Sequence, residues 1–378
     1  MEGRDSSVYR EISTVEDFRA IKKPLFSHLL EFTKLKDEFK KFLYQEGLLG
    51  DFSGPCEKCR KGQVRFGSEG KSTNTGQQVF AWRCSNRRCR RKLSTRSGSL
   101  FERSMLSERI ILLLVYCFAA KIPQHIVMNS LIDLATHTMV DWYRFCRDVC
   151  WEILLADNKK IGGPGHVVEI DEGKFGKGGG FWVLGGIDRQ TRETFFKIVP
   201  DCSPETLLPV LLDNVLPETT VISDSWESYS SARDHYFSEN EVDHSINFVS
   251  PGDRDGHTDT MESEWRILRK SVLPRNGTQK YLYDGYFSAY CVQKRYLDRA
   301  PCPFWAFLDL IKRVYPLKSR PTAPVNDLLS QPKTERSETT TFRSSGTTTF
   351  RRSSGTTTFR SIAKKQKLDT DESDRDSE

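Results

Sequence analysis

The stretch VVEIDEGKFGKGGGFWVLGGIDR, residues 167 to 189, decides the fold of the second half of the chain. The apolar run at 167–170 contains one carboxylate, Glu169, and two more follow it directly, Asp171 and Glu172. A second apolar run begins at Phe181. The two runs predict strands in hairpin order. Burying a carboxylate is costly unless it is paired or bound to a metal, so acidic residues in and just after a buried strand need a physical reason.

The residues that follow predict a mixed α/β sheet. GGPGH at 162–166 indicates a domain boundary, and beyond it short apolar runs alternate with helical patterns. We expect strands at 167–172, 181–188, 194–199, 220–224 and 245–249, a helix at 204–216, and later helices beginning at 258, 284 and 303.

A chain of 378 residues is long enough for two or three domains. Changes in composition and pattern along the chain predict five segments. They are an N-terminal helical segment (1–50), a basic segment rich in cysteine (51–105), a second helical segment (106–160), the α/β domain (161–316) and a tail (317–378). The tail repeats TTTFR between 339 and 361, which is too polar to bury a core, and predicts disorder.

Helical periodicity predicts one or two helices within 1–50 and three helices within 107–155. The third of these follows a threonine that we expect to cap it, at THTMVDWYRFCRDVCWEILL (136–155). Three helices with short breaks fit a helix-turn-helix, whose third helix would read bases, and fit an ordinary helical bundle equally well.

Four of the ten cysteines have the spacing of a zinc site. Cys56 and Cys59 form a C-x2-C pair, and Cys84 and Cys89 form a C-x4-C pair. Two short chelating loops at the ends of two hairpins provide the tetrahedral thiolates that a structural Zn²⁺ ion needs. Their neighbours are polar and basic rather than apolar, which argues against four unrelated core thiols.

The same block is strongly basic. Between Cys56 and Arg103 it contains 13 Lys and Arg against 3 Asp and Glu, a local excess of +10. This indicates a polyanion-binding surface, and a solvated charged face is the alternative. Side chains around the second pair are candidate phosphate contacts, which give affinity without reading sequence: Arg83, Arg87, Arg88, Arg90, Arg91, Lys92 and Arg96.

Two further carboxylates lie far along the chain. Asp224 follows the short predicted strand in VISDSWESY, and Glu262 lies one turn into the helix of HTDTMESEWRILRK. If their strands are neighbours, Asp171, Asp224 and Glu262 meet at one end of the sheet, with Arg266 and Arg269 on the same side of the helix to hold a nucleic acid backbone. Each has a simpler interpretation: Asp224 as a turn residue and Glu262 as part of a helix cap.

Three carboxylates at one place repel one another unless a cation lies between them. Oxygen ligands of this kind suit Mg²⁺ or Mn²⁺. A pair of such ions can activate a water or a 3′-hydroxyl and stabilise the leaving oxygen in phosphodiester transfer.

These stretches resemble a known family. EIDEGKFGK (169–177), the run from FWVLGGIDR to VISDSWESY (181–229) and HSINFVSPGDRDGHTDTMESEWRILRK (244–270) are similar to the catalytic domain of Merlin-superfamily DNA transposases and their bacterial insertion-sequence relatives. CRRKLSTRSGSLFERS (89–104) is similar to the zinc-ribbon segment before that domain. The resemblance covers about residues 50–300.

The resemblance implies a ribonuclease H-like fold and a DDE-type cut-and-paste mechanism, with Asp171, Asp224 and Glu262 as the catalytic carboxylates. It also implies double-stranded DNA as partner, both transposon ends and target, and a multimer that pairs two ends. Two features depart from the family pattern. Only GKGGG remains where members carry a longer basic insertion, and Asp259 stands where Asn is common.

Three functions therefore compete: a transposase using Mg²⁺ or Mn²⁺, a domesticated, non-catalytic zinc-dependent DNA-binding protein, and a nuclease without strand joining. No signal peptide or membrane span is expected, since the longest apolar run is only 110–120. KKQKLD at 364–369 fits a nuclear import signal, although short basic runs are common. We expect the nucleus, or the cytoplasm in a bacterial host.

Overall fold

The computed structural model describes residues 11–71, 78–176, 180–223, 247–249, 259–272 and 280–317. Asp224, the loop at 177–179 and the TTTFR tail lie outside these residues. Within them, no helix is long and apolar enough to cross a bilayer.

Three short helices open the described chain, where one or two were expected: α1 (Val15–Ala20), α2 (Phe26–Phe32) and α3 (Lys36–Gln45). Apolar residues of all three helices converge on one cluster. Within it the rings of Phe18 and Phe32 stack at 4.3 Å between centroids, and Phe42 meets Phe18 edge-on.

The cysteine block forms a small antiparallel sheet. Its strands β1 (Gly54–Pro55), β2 (Gln63–Lys71), β3 (Gln78–Cys84) and β4 (Lys92–Leu93) lie in sequence order. The longest pair, β2 and β3, runs from Val64 opposite Cys84 to Lys71 opposite Gln78. The residues that connect β2 to β3, 72–77, lie outside the described ranges.

The next segment contains the expected three helices. Helix α4 (Glu108–Ala119) is capped by the Ser107 hydroxyl, and the short second helix begins after Pro123 as α5 (Gln124–Ile126) and continues as a π-helix (Val127–Leu131). Helix α6 (Thr136–Asp157) follows Ala135, with no side-chain cap, so the predicted threonine cap is wrong.

Helix α6 buries one face in the core and exposes the other, which both the helix-turn-helix and the bundle interpretation allow. Seven of its residues are buried, on a broad face: Met139, Tyr143, Cys146, Arg147, Val149, Cys150 and Ile153. The last described helix, α10 (Pro303–Val314), joins the same core, since the Trp305 ring lies 5.4 Å from Phe18 and the Phe307 ring 5.1 Å from Phe118. Helices from both ends of the described chain therefore share one core.

The predicted mixed α/β architecture is confirmed. Strands β5 (Val167–Phe175), β6 (Phe181–Asp188), β7 (Thr194–Val199), β8 (Thr220–Ile222) and β9 (Asn247–Val249) form one sheet in the order β7-β6-β5-β8-β9. The first three pair antiparallel, and β8 is parallel to both β5 and β9.

The two faces of this sheet pack against different helices. Val168 and Ile170 of β5 pack with Leu207 and Leu211 of α7 (Pro204–Asn214). Val183 and Ile187 of β6 pack on the other face with α8 (Asp259–Val272) and α9 (Tyr283–Val292). Since side chains alternate along a strand, the odd-numbered residues of β5, including Glu169 and Asp171, face α8.

Candidate active site and zinc site

Glu169 is fully buried and ties β5 to α8. Its Oε1 accepts the Arg189 Nε–H at 2.5 Å, and its Oε2 accepts the backbone N–H of Met261 at 2.8 Å. Met261 lies in the first turn of α8, where backbone N–H groups have no partner within the helix. Of the carboxylates in the opening stretch, Glu169 is therefore explained by ion pairing and by satisfying a helix end rather than by metal binding.

Asp171 is half-buried in the middle of β5, opposite Gly185 of β6. Its Oδ1 accepts the backbone N–H of Glu172 at 2.8 Å, and its Oδ2 accepts the indole N–H of Trp265 at 2.8 Å. The second bond is a contact that the sequence did not predict. Trp265 is buried on α8, and its partner Asp171 lies 94 positions away in sequence.

Two glycines make room for the Trp265 ring. A Cβ on Gly173 would lie 3.2 Å from the indole Cη2, and a Cβ on Gly185 would lie 2.7 Å from the indole Cζ2. Any side chain at Gly185 would also meet Met261 Cε at 2.3 Å. The glycines of GGID and DEGK therefore serve close packing between strand and helix.

Helix α8 carries the third candidate carboxylate. Helical spacing puts Met261, Trp265, Leu268 and Val272 on one stripe of α8, and all four are buried, whereas Glu262 beside them is exposed. The structure thus packs the first turns of α8, which bear Glu262, against the strand that bears Asp171. Arg266 and Arg269 are exposed on the same helix, and the Arg269 guanidinium lies 4.9 Å from the Phe175 ring centroid.

The second candidate, Asp224, lies outside the described residues, as does the side chain of Asp259. Strand β8 pairs with β5 so that Ile222 stands opposite Glu169. Asp224 is the second residue after Ile222 in sequence. Over the described residues, the only side chains grouped with metal-binding geometry are the four cysteines of the ribbon.

Those cysteines fit a tetrahedral zinc ion. The four Sγ atoms lie within 4.8 Å of one another, with Cys56 to Cys89 at 3.8 Å and Cys59 to Cys84 at 3.7 Å. A tetrahedron with Zn–S bonds of about 2.3 Å has edges of about 3.8 Å. The donor set and its spacing are those of a closed structural site.

The thiols of the ribbon differ in pKa because their surroundings differ. The N–H groups of Lys61 and Gly62 lower the pKa of Cys59 to about 6, whereas burial raises the pKa of Cys84 to about 12. Gly62 is required for the close approach of the two loops, since a Cβ there would lie 2.5 Å from Cys84 Sγ.

The candidate phosphate contacts fall into two groups. Arg83, Arg87, Arg88, Arg90 and Lys92 are exposed on the ribbon. Arg91 lies 3.3 Å from Glu57.

Arg96 is engaged inside the protein. Its guanidinium donates to Glu108 at 2.7 Å and to the carbonyls of Ser104 and Leu106. A guanidinium held by three internal acceptors links the ribbon to α4, which argues against a phosphate-binding role for Arg96.

Sequence reasoning missed Arg60. It follows the second cysteine of its pair as Arg90 follows Cys89, and both residues have a left-handed backbone, with φ of 53° and 49°. Both side chains are exposed. Left-handed backbone is unfavourable for residues with a Cβ. The sequence could have identified Arg60, because it directly follows Cys59 just as Arg90 directly follows Cys89.

Comparison with known proteins adds one finding. Residues 156–296 match the family model described as the ISXO2-like transposase domain. That range holds the whole five-stranded sheet, with α7, α8 and α9. No curated protein sequence matches the chain. This match over residues 156–296 supports a DDE transposase family.

Proposed function

We propose that this chain is a DNA transposase of the Merlin type, which cuts DNA strands at terminal inverted repeats and joins the freed ends to target DNA. One observation carries the proposal: within the matched domain, Asp171 on β5 and the Glu262-bearing end of α8 are held together by two hydrogen bonds, from Met261 to Glu169 and from Trp265 to Asp171. Two carboxylate-bearing elements are thereby fixed against each other.

The sheet supports a ribonuclease H-like fold for the proposed catalytic domain at 161–316. Its three antiparallel strands are followed by two parallel strands on the β5 side, in the order β7-β6-β5-β8-β9. In this proposal Asp224 completes the site with Asp171 and Glu262. Those oxygens would hold Mg²⁺ or Mn²⁺, which when bound activates a water or 3′-hydroxyl and stabilises the leaving oxygen.

The chain's own residues supply orientation. The two hydrogen bonds on Asp171 hold its carboxylate in one plane on a rigid strand. Glu262 is exposed and so is open to solvent and substrate, and in this proposal Arg266 and Arg269, exposed on the same helix, contact the DNA backbone. Rigid placement of this kind is what phosphodiester transfer requires of a protein.

The ribbon is the proposed DNA-binding part. Zn²⁺ bound by Cys56, Cys59, Cys84 and Cys89 would fix the loops that carry Arg87, Arg88 and Arg90. Arginine contacts to phosphates give affinity that falls with salt. We further propose that a homo-oligomer pairs two transposon ends, and that the protein acts in the nucleus.

The test is metal-dependent cleavage and joining by the purified chain, using labelled DNA that ends in the inverted repeats flanking its gene. Glu262→Gln removes one proposed metal ligand at an exposed position, so folding should be unchanged and activity lost. Glu205→Gln is the matched control, an exposed glutamate on α7 across the sheet, and should keep full activity.

The other outcomes separate the alternatives. If the parent chain binds DNA in a salt-sensitive way but never cuts it, the protein is a non-catalytic DNA-binding derivative of a transposase, with the shortened GKGGG segment as the first suspect. Cut products without joined products would indicate a nuclease. Equal activity in Glu262→Gln and the parent would contradict the assignment of the carboxylates.

A further inference from the structure

Trp265 and Glu262 lie three positions apart on α8, so they share a turn of the helix. Glu262 is exposed while Trp265 is 6% exposed and points its indole N–H at Asp171 Oδ2, 2.8 Å away. We propose that Trp265 is a positioning residue, which sets the orientation of the Asp171 carboxylate and ties it to the helix that bears Glu262. This inference rests on the proposed function.

The ring cannot easily turn away from Asp171. Its centroid lies 5.5 Å from that of Phe175 and 5.2 Å from that of Phe196, and its edge fills the space left by Gly173 and Gly185. A buried indole N–H ordinarily needs an acceptor. Packing therefore fixes the direction of the N–H group, and the N–H group fixes the carboxylate.

Asp171 is held from both sides. The backbone N–H of Glu172 donates to Oδ1 and the indole donates to Oδ2, so rotation of the carboxylate about its Cβ–Cγ bond breaks at least one bond. A carboxylate has about four lone-pair sites, so these two donors do not by themselves exhaust its capacity for a metal. The arrangement resembles the outer hydrogen bonds that orient carboxylate ligands in metal sites.

The experiment compares Trp265→Phe with the parent chain. Phenylalanine keeps an aromatic ring but has no N–H to donate. We expect the Mg²⁺ concentration for half-maximal cleavage to rise about 10- to 100-fold, as expected for loss of such an outer hydrogen bond. Mn²⁺ affinity, measured by calorimetry without DNA, should fall by a similar factor, while DNA affinity stays unchanged.

Trp182→Phe is the matched control. Trp182 is half-buried on β6 and packs on the opposite face of the sheet, with the α7 side. This variant loses an indole N–H that does not face Asp171, so its Mg²⁺ and Mn²⁺ responses should equal those of the parent.

These measurements distinguish failure of the proposed function from failure of the role assigned to Trp265. A parent chain that neither binds Mn²⁺ at this domain nor cuts DNA overturns the proposed function itself. A parent that does both, with a folded Trp265→Phe chain of unchanged metal response, overturns the role of Trp265 alone.

A measurement on the parent chain covers the case in which Trp265→Phe does not fold. With ¹⁵N-labelled indole groups, Mn²⁺ should broaden the N–H resonance of Trp265 far more than that of Trp305, whose ring packs on Phe18 in the helical core. The proposal fails if no indole resonance broadens at Mn²⁺ concentrations that support cleavage.

Discussion

The carboxylate of Glu169 accepts the backbone N–H of Met261, with 2.8 Å between Oε2 and the nitrogen, and so joins the middle of β5 to the first turn of α8. The same carboxylate pairs with Arg189 at 2.5 Å and is fully buried. The bond connects the two elements that carry Asp171 and Glu262. Its strength therefore bears on the geometry of the candidate site as well as on stability.

Glu169→Ala should be strongly destabilising. It leaves the Arg189 guanidinium without this partner and the Met261 N–H unsatisfied, and removing one member of a buried pair costs about 3–5 kcal/mol. Glu169→Gln keeps an oxygen that can accept from Met261 and should cost about 1–2 kcal/mol. Urea unfolding measures both values. Equal, small losses for the two variants would show that the buried carboxylate contributes little.

The prediction of the sheet from sequence succeeded where signals are local. The apolar runs at 181–188 and 194–199 lie between turn residues, and β6 and β7 match them at both ends. The stripe on α8 was equally readable, because helical periodicity puts Met261, Trp265 and Leu268 on one face.

The site was harder to predict because its contacts join distant parts of the chain. No residue near Asp171 in sequence indicates that an indole N–H will donate a hydrogen bond to it. Likewise, no residue near Glu169 indicates that its carboxylate will accept a hydrogen bond from the first turn of a helix. The internal contacts of Arg96 were equally hard to predict, since its acceptors at Ser104, Leu106 and Glu108 depend on how the chain folds back.

Gly185→Ala should disturb the contact between β6 and α8. The added methyl would lie 2.3 Å from Met261 Cε and 2.7 Å from the Trp265 ring, so the ring must move from its place beside Asp171. Overpacking of this kind costs about 1–3 kcal/mol. Thermal unfolding tests the effect, with Gly67→Ala as control, because a Cβ on that strand glycine meets no atom within 4 Å. Similar stability of both variants would contradict close packing at Gly185.

Asp188 should make stability depend on pH in the acid range. Burial raises the pKa of this carboxyl, but hydrogen bonds from Thr191 and His166 outweigh that effect, and the net pKa lies below its ordinary value. A carboxyl whose pKa is lower in the folded state stabilises the protein at pH values above its unfolded pKa of about 3.9. This stabilisation is lost as the pH falls through the folded pKa.

Asp188→Asn should therefore lower stability at pH 7 by about 1–3 kcal/mol, since charge-assisted hydrogen bonds are lost. The difference from the parent should begin to shrink near pH 4, where the carboxyl of the unfolded chain takes up its proton, and should be lost as the pH falls through the lowered pKa of the folded state. Thermal unfolding at several pH values measures this, with Asp213→Asn, an exposed carboxylate on α7, as control. A difference that stays constant down to low pH would contradict the assignment.

Zinc should be required for the ribbon to fold. Cys59→Ser removes one of four thiolates whose Sγ atoms are already spaced for zinc, so the variant should lose the metal and the salt-sensitive DNA affinity of the ribbon. Metal content per chain and a binding titration measure the two losses. Cys202→Ser, at a half-exposed cysteine outside the ribbon, should keep both. DNA affinity that survives complete removal of zinc would separate the ribbon from DNA binding.

Replacing Arg60 with glycine should raise the stability of the ribbon and lower its affinity for DNA. The left-handed backbone of Arg60, with φ of 53°, suits glycine better, so Arg60→Gly should stabilise the ribbon by about 1 kcal/mol. If the exposed guanidinium contacts a phosphate, the same change should weaken DNA binding and reduce the slope of log affinity against log salt by about 0.9.

Glu218→Gly is the matched control for this change. Glu218 is exposed, has φ of 60° and lies outside the ribbon, so glycine there should also relieve the backbone without altering DNA affinity. A functional reason for arginine at position 60 requires that only Arg60→Gly weakens binding. If both variants gain stability and both bind DNA as the parent does, the left-handed arginine has no role in DNA contact, and the other exposed basic residues, among them Arg87, Arg88 and Arg90, must account for the salt dependence.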